Sequence, residues 1–274
     1  MIEAKIIADS TAYNGSRLTT MQLTYPRFIH SEFMTHRVFS RNASSSRAIP
    51  VAKMLEMIKE EPAMPLHWGK NIPGMQANEE VDNIEGMKGL WLEAARQACS
   101  IAKVMTDSGL HKQVANRILE PFQHIHVVVT ATEWDNFFML RDHKDAQPEI
   151  QALARSMNIA MDMSHPKTLM LGEWHLPYVT DDEVLEYKEK GQFNNLQKMS
   201  AARCARVSYM KHDGQKPSLE DDLKLYERLV ISEPPHMSPI EHQATPSLDR
   251  DYWSGNFKGW IQYRKQFEQG IIDA

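Results

Sequence analysis

A short stretch rich in arginine and serine, Thr35–Arg47 with the sequence THRVFSRNASSSR, is the part of the chain best suited to chemistry. Residues 27–47 contain four arginines and one acid, Glu32, so the stretch has a charge of four minus one, +3, in a chain of net charge −5. Guanidinium groups fit phosphate oxygens, and hydroxyls and free amides in a turn add donors. Two interpretations are open: a phosphate-binding loop, or a solvated loop whose arginines pair with acids elsewhere.

The same stretch resembles the signature of the flavin-dependent thymidylate synthases, R-H-R-x-x-S-x-N-x-x-S-x-R-Y. The matching positions are His36, Arg37, Ser40, Asn42, Ser45 and Arg47. Three positions depart from the family pattern. Glu32 stands where the family often has glutamine, Thr35 replaces the first arginine, and Ala48 replaces the tyrosine.

A second stretch supports the resemblance. LHKQVANRILEP and the following HIHVVVTATEWDNFFMLRDHKDAQPEI resemble the family's helix, strand and helix that lead to L-R-x-x-x-x-A-Q-x-E-I. The matching residues are Arg117, Asn136, Arg141, Ala146, Gln147 and Glu149.

A third match is out of order. SAARCARVSY, Ser200–Tyr209, and HMSPIEH, His236–His242, resemble family segments that usually precede the signature, yet here they follow it. We therefore predict a circular permutation, with residues 195–245 equivalent to the usual N-terminal part. Such a rearrangement is tolerated when the original termini lie close together at the surface. The whole chain, 1–274, is predicted to be a single catalytic domain.

The resemblance implies a reaction and a fold. The reaction is the reductive methylation of dUMP to dTMP, with methylenetetrahydrofolate as carbon donor and with FAD, reduced by NADPH, as cofactor. The fold is a mixed α/β (α+β) domain with a central, mostly antiparallel sheet and flanking helices. The family assembles as a homotetramer whose sites are lined by several protomers, which would place the phosphate loop, Arg117 and the flavin loops on different chains.

The resemblance also assigns roles on the substrate side. Ser45, Ser46 and Arg47 would hold the dUMP phosphate, and Arg117 would contact the nucleotide. Arg141 would be catalytic, because a fixed guanidinium beside the pyrimidine stabilises the negative charge that develops there. The structural alternatives are an ion pair of Arg141 with Asp142 or Asp145 and one of Arg117 with Glu120. A serine nucleophile is disfavoured, since the sequence has no G-x-S-x-G elbow or evident Ser–His–acid set.

The cofactor-binding residues that the resemblance implies come from three segments: His36, Arg37, Asn136, Ser208, His236, Ser238 and Glu241. For His236 a structural role is an equal alternative. Without the usual arginine at position 35, either another basic residue contacts the FAD phosphate or FAD binds more weakly.

The departures keep two other functions open. Glu32, Thr35 and Ala48 are compatible with a related enzyme that hydroxymethylates dUMP or acts on another pyrimidine nucleotide, because a carboxylate accepts a hydrogen bond from an amino group. They are also compatible with a nucleotide-binding relative without catalytic activity.

The histidines and cysteines predict no metal centre. His124 and His126 point to one face of a predicted strand, but no third ligand lies at a useful spacing. Cys99 and Cys204 are too few for a disulfide framework and are expected to be buried.

Composition and length exclude several classes. The net charge of −5 argues against a protein that coats a nucleic-acid polymer. No apolar run reaches the roughly 18 residues of a transmembrane helix, and no signal peptide is evident, so a cytoplasmic location is expected. The pattern predicts strands at 4–10, 19–25 and 124–132. Helices are predicted near 26–37, 84–109, 112–119, 133–140, 195–206 and 218–231, from Pro148, and around Trp260–Phe267. Segments 62–83 and 252–274 lie outside the clear matches.

Overall fold

The computed structural model describes residues 1–74, 77–208 and 217–270, without the side chain of Ser208. Its centre is a five-stranded sheet of order β3-β4-β2-β1-β5, in which all pairs are antiparallel except the parallel pair β1–β5. The strands are Glu3–Ala12 (β1), Arg17–Pro26 (β2), Ser40–Ala43 (β3), His124–Ala131 (β4) and Lys167–Leu169 (β5). The predicted mixed fold with a mostly antiparallel sheet is confirmed.

Strands β2 and β4, at the centre of the sheet, are largely buried on both faces. Because side chains alternate along a strand, Val127 and Val129 of β4 face one side, and Val128 faces the other. Val127 and Val129 join the main core, whereas Val128 packs with Cys204 and Val207. The sheet therefore lies between two layers and can position side chains from both.

Helices pack against both faces of the sheet, and a further group of helices lies beside it. The α-helices are His30–Phe33 (α1), Val51–Glu60 (α2), Ile84–Asp107 (α3), Lys112–Ala115 (α4), Asp135–Arg141 (α5), Pro148–Asp162 (α6), Asp181–Glu189 (α7), Asn194–Ala205 (α8), Leu219–Tyr226 (α9) and Tyr263–Glu268 (α10). Short 3₁₀ segments cover Arg27–Ile29, Asn116–Phe122, Arg206–Ser208 and Ser238–Glu241, and a π-helical turn covers Glu227–Ile231. None of the described helices is long and apolar enough to cross a membrane.

The main core lies between the sheet and helices α5 and α6. It includes an aromatic cluster in which the ring of Phe39 lies tilted against Trp134, with ring centroids 4.7 Å apart, and Phe33 meets Phe137 edge-on at 5.8 Å. A second core joins α2, α3 and the 3₁₀ segment Asn116–Phe122. The two cores fix the ends of the arginine–serine stretch and of the Arg117 segment.

Three element predictions need correction. The helix expected near 26–37 is only a 3₁₀ turn followed by the short α1. The stretch expected to be a loop begins as a strand, β3, because its backbone pairs with β4. At the C-terminus, Trp260–Gln262 (β9) pairs with Ala244–Pro246 (β6), so α10 starts only after it. Two further short strands, Trp253–Ser254 (β7) and Phe257–Lys258 (β8), form a hairpin.

Candidate functional site

Arg141, at the end of α5, is held by three residues of the arginine–serine region. Its Nε donates to Nε2 of His36 at 2.9 Å, and its Nη2 donates to the hydroxyl of Thr35 at 3.3 Å. Its Nη1 forms a short salt bridge with Glu32. Two of the five N–H groups of the guanidinium remain available for a ligand. Two of the three departures from the family signature thus contact the predicted catalytic residue.

The His36 ring is well placed to accept this hydrogen bond. It is only 6% exposed and meets Phe137 edge-on at 4.9 Å. Burial, together with the positive charges of Arg141 and Arg41, lowers the pKa of His36. The imidazole is therefore neutral around pH 7, and its Nε2 lone pair accepts from Arg141. His36 is a positioning residue for Arg141 in this arrangement.

Arg141 faces a cleft of about 890 Å³. Its wall includes Glu32, Trp91 and Lys144, together with part of segment 62–83. The structure thus gives that segment a place, as part of the cleft wall.

Glu149 fixes this part of the wall. Its carboxylate, 3% exposed, accepts from the backbone N–H of Leu66 at 2.6 Å. The indole N–H of Trp91 donates to the carbonyl of Ala63 at 2.9 Å. Glu149, one of the residues that match the family motif, therefore holds the cleft wall in place.

The residues expected to bind phosphate lie in a second cluster. The hydroxyl of Ser46, which is buried, donates to Oε1 of Glu120 at 2.9 Å. Arg117 contacts the same oxygen at 2.8 Å, and Arg27 contacts it at 3.2 Å. The pair of Arg117 with Glu120 is the structural alternative considered above. Arg117 and the serine loop of the same chain meet here, so the expectation that they lie on different chains is wrong.

The remaining phosphate residues face solvent or their own turn. Ser45 accepts from the backbone N–H of Arg47 at 3.3 Å. The Arg47 side chain is exposed and makes no ion pair with a described residue. It is therefore available to an anion in solution.

The predicted flavin residues are spread over the surface near the signature. Arg37, Asn136 and His236 are exposed, and their side chains bond to no described residue. Their donor groups are free to bind a phosphorylated cofactor, so these residues fit FAD. The backbone N–H of His236 donates to the carbonyl of Leu229 at 2.8 Å. The side chain of Ser208 lies outside the described residues.

Two other predicted flavin residues have partners within the protein. Ser238 donates to the side chain of Asn42 at 3.1 Å, and Asn42 donates to the carbonyl of Cys204 at 2.8 Å. Glu241 forms a short salt bridge with Arg264 of α10. The out-of-order segments thus pack directly against the signature strand β3, and α10, from the unassigned tail, braces them.

The two histidines of β4 have partners within the protein. His124 bonds to the N-terminal amine at 2.7 Å, and His126 bonds to the Thr24 hydroxyl at 2.9 Å. Among the residues described, no group of three metal-ligating side chains comes together. Both cysteines are buried.

Three residues near the site were not assigned a role from the sequence: Arg27, Arg41 and Glu120. Arg41 donates to the backbone carbonyls of Met34, at 3.1 Å, and His36, at 2.8 Å, and so braces the turn below Arg141. Glu120 appeared only as the alternative partner of Arg117, although it also binds Ser46 and Arg27. No local motif signals these contacts, because Arg27 and Ser46 are distant from Glu120 in the sequence.

Comparisons with known proteins agree with the signature. A sequence profile of a family described as thymidylate synthase complementing protein matches residues 18–167. This range contains the signature and the Arg117–Glu149 stretch and ends before residues 195–245. No curated protein matches the chain.

Several solved structures resemble the fold. One is thymidylate synthase X (ThyX) from Helicobacter pylori with FAD and dUMP, with 18% identity, a TM-score of 0.39, and coverage of 53% of this chain and 67% of that chain. Another is a UMP/dUMP methylase, PolB, from Streptomyces cacaoi bound with 5-Br dUMP, with 17% identity, a TM-score of 0.45, and coverage of 59% of this chain and 90% of that chain.

Proposed function

The chain belongs to the thymidylate synthase complementing protein family, the flavin-dependent thymidylate synthases, and on that premise we propose that it reductively methylates dUMP to dTMP. The observation that carries the proposal is Arg141, whose guanidinium is fixed in a cleft by His36 and Glu32 and keeps two N–H groups free. A fixed donor of this kind stabilises negative charge on a uracil as it develops.

The other residues would bind the substrate and the cofactor. Ser45, Ser46 and Arg47 would hold the nucleotide phosphate, and Arg117 would contact the nucleotide. Arg37, Asn136, His236, Ser238 and Glu241, with Ser208 and the neighbouring His36, would hold FAD. When bound and reduced, FAD supplies the hydride. NADPH as reductant and methylenetetrahydrofolate as carbon donor complete the proposed reaction.

Two larger features belong to the same proposal. The chain would form a homotetramer, and residues 195–245 would be the permuted equivalent of the family's usual N-terminal part. The direct packing of Ser238 and Cys204 against Asn42 supports this equivalence. Light scattering tests the assembly: we expect four copies, and an active monomer would contradict it.

Reconstitution tests the reaction. The purified protein should be yellow with bound flavin and should convert dUMP to dTMP when FAD, NADPH and methylenetetrahydrofolate are supplied. Absence of flavin binding under every reconstitution condition would refute the proposal. Turnover of any nucleotide would exclude a relative without catalytic activity.

One observation favours a second candidate, a related enzyme with a different pyrimidine product. The carboxylate of Glu32 lies against Arg141, where it partly neutralises the guanidinium and offers an acceptor to an amino group. Mass spectrometry of the product distinguishes the candidates. Plain dTMP from dUMP would remove the second one, whereas a hydroxymethylated product, or turnover of only another nucleotide, would support it.

A further inference from the structure

Three donors, two of them distant in sequence, converge on one carboxylate oxygen, Oε1 of Glu120. They are Nη1 of Arg117 at 2.8 Å, the hydroxyl of Ser46 at 2.9 Å and Nη2 of Arg27 at 3.2 Å. Two guanidinium groups and a hydroxyl around one anionic oxygen are the donor set that proteins use for a phosphate oxygen. The carboxylate therefore stands where a phosphate oxygen would be bound.

The turn that carries Ser46 is held in place without the carboxylate. Asn116, which is fully buried, donates to the carbonyl of Ser46 at 2.7 Å and to that of Ile49 at 3.0 Å, and so fixes the serine turn. Lys112 donates to the carbonyl of Ala48 at 2.9 Å. The turn is thus anchored from beneath through backbone carbonyls, and Glu120 is not needed to shape it.

The charge at this place is not balanced. Arg27 and Arg117 contribute two positive charges, and Glu120 contributes one negative charge. Arg47, in the same turn as Ser46, is exposed and forms no ion pair with any residue that the structure describes. The cluster therefore keeps an excess of positive charge at the surface, which favours a phosphate dianion over the single carboxylate.

We propose that Glu120 is an internal occupant of the phosphate site, displaced from Ser46 and Arg117 when the phosphate group of a nucleotide binds. Glu120 is then a specificity-determining residue: an anion must compete with it, and a phosphate dianion does so better than a monoanion. Arg27 becomes an additional phosphate ligand. The proposal rests on the proposed function for the identity of the ligand, a pyrimidine nucleoside monophosphate.

A purely structural role of Glu120 makes the opposite prediction. If the carboxylate only held Arg27 and Arg117 in place, its loss would let the arginines move and would weaken phosphate binding. The variant Glu120→Gln keeps the size of the side chain and an acceptor oxygen but removes the charge. The sign of its effect on affinity therefore distinguishes the two roles.

The experiment is calorimetric titration of the full-length protein with dUMP, with inorganic phosphate and with deoxyuridine. We expect Glu120→Gln to bind dUMP and inorganic phosphate about three- to tenfold more tightly than the wild type. Breaking a partly exposed ion pair costs up to about a factor of five in the binding constant, and the variant also removes the repulsion between the carboxylate and the phosphate. Deoxyuridine, which has no phosphate, should bind as it does to the wild type. Arg27→Gln should weaken phosphate and dUMP binding by a similar factor.

Glu93→Gln is the matched control. Glu93 forms the same kind of pair with Arg96, also three residues away, at 2.6 Å on the exposed side of α3. This variant should bind all three ligands like the wild type. Glu120→Asp, which keeps the charge but shortens the side chain, should fall between the wild type and Glu120→Gln, and it remains informative if Glu120→Gln fails to fold.

Unchanged or weaker phosphate binding by Glu120→Gln, or by Glu120→Asp in its place, would overturn the proposal. Inorganic phosphate separates this outcome from failure of the proposed function. If the protein does not turn over dUMP but its Glu120 variants still bind inorganic phosphate more tightly than the wild type, the proposed reaction is refuted. The proposal that Glu120 occupies the phosphate site is then still supported.

Discussion

Arg141 has a geometry that lysine cannot reproduce. Its planar group bonds at the same time to His36, Glu32 and Thr35, and two N–H groups remain for a ligand. A lysine keeps the charge but loses the fixed fork, so it can neither keep the three contacts nor present two parallel donors. The catalytic role proposed for Arg141 therefore depends on the shape of its side chain as well as on its charge.

We predict that Arg141→Lys lowers kcat for dUMP about 100-fold, in the range found when one fixed donor to a developing anion is removed. Bound flavin, measured by its absorbance, should stay at the wild-type level. Arg155→Lys is the control, because Arg155 is largely exposed and pairs with Asp142 outside the cleft. Wild-type turnover by Arg141→Lys would show that the guanidinium does not act on the pyrimidine.

Strand β3 connects the signature to the out-of-order segments. Asn42 contacts both segments through one side chain, with its amide N–H on the carbonyl of Cys204 and its oxygen accepting from Ser238. The side chain of Gln262 in β9 adds a further contact, to the hydroxyl of Ser40 at 3.2 Å. These polar contacts position residues 195–245 on the sheet.

We predict that Asn42→Ala destabilises the protein by about 1–3 kcal/mol, because it leaves the carbonyl of Cys204 without its donor in a poorly solvated place. The free energy of unfolding, measured with urea, gives the effect. Asn136→Ala should change it by less than about 0.5 kcal/mol, since Asn136 is exposed on α5. Equal stability of the two variants would mean that Asn42 does not anchor the segments.

The elements differ in how far the sequence predicts them. The Val-rich strand at 124–132 and the helices beginning at Ile84 and Pro148 are confirmed, because their patterns are strong and local. Strand β3 is short and polar, and it is a strand only because β4 offers its edge, so tertiary pairing decides its conformation.

The same limit applies to the site. The resemblance identified Arg141, His36 and Glu32 separately, but the contact between residues 32 and 141 depends on how α1 and α5 pack on the sheet. The convergence of Arg27 and Ser46 on Glu120 has the same origin. The family resemblance therefore nominates the residues of the candidate site, and packing decides which of them are partners.

A buried chain of hydrogen bonds crosses the sheet from β1 to the C-terminal part of the protein. Ser10 bonds to Nδ1 of His175 at 2.8 Å, and Nε2 of His175 bonds to Thr20 at 2.8 Å. Thr20 bonds to Thr130 at 2.7 Å, and Thr130 bonds to Nδ1 of His242 at 2.8 Å. The chain joins β1, β2 and β4 to the C-terminal third of the protein.

Burial lowers the pKa of His175 and of His242 from 6.5 to about 3. Both rings are therefore neutral in the folded protein, whereas in the unfolded chain they take up a proton below pH 6.5. Because the unfolded state binds more protons between pH 6.5 and 3, stability is complete above pH 6.5 and falls as the pH decreases through this window. Each histidine contributes on the order of 2 kcal/mol to the loss between pH 6.5 and 5.

We predict that the free energy of unfolding in urea is nearly constant above pH 6.5 and falls steeply from pH 6.5 to 5. His242→Gln should reduce this dependence by the share of one histidine. The glutamine amide can still bond to Thr130 but does not titrate, so the variant separates loss of the hydrogen bond from loss of the proton. His165→Gln is the control, because His165 is exposed and should leave the slope unchanged. If the free energy of unfolding of His242→Gln depends on pH as steeply as that of the wild type, protonation of His242 does not disrupt the contact between the C-terminal third and the sheet. The acid sensitivity then comes from the other buried histidines.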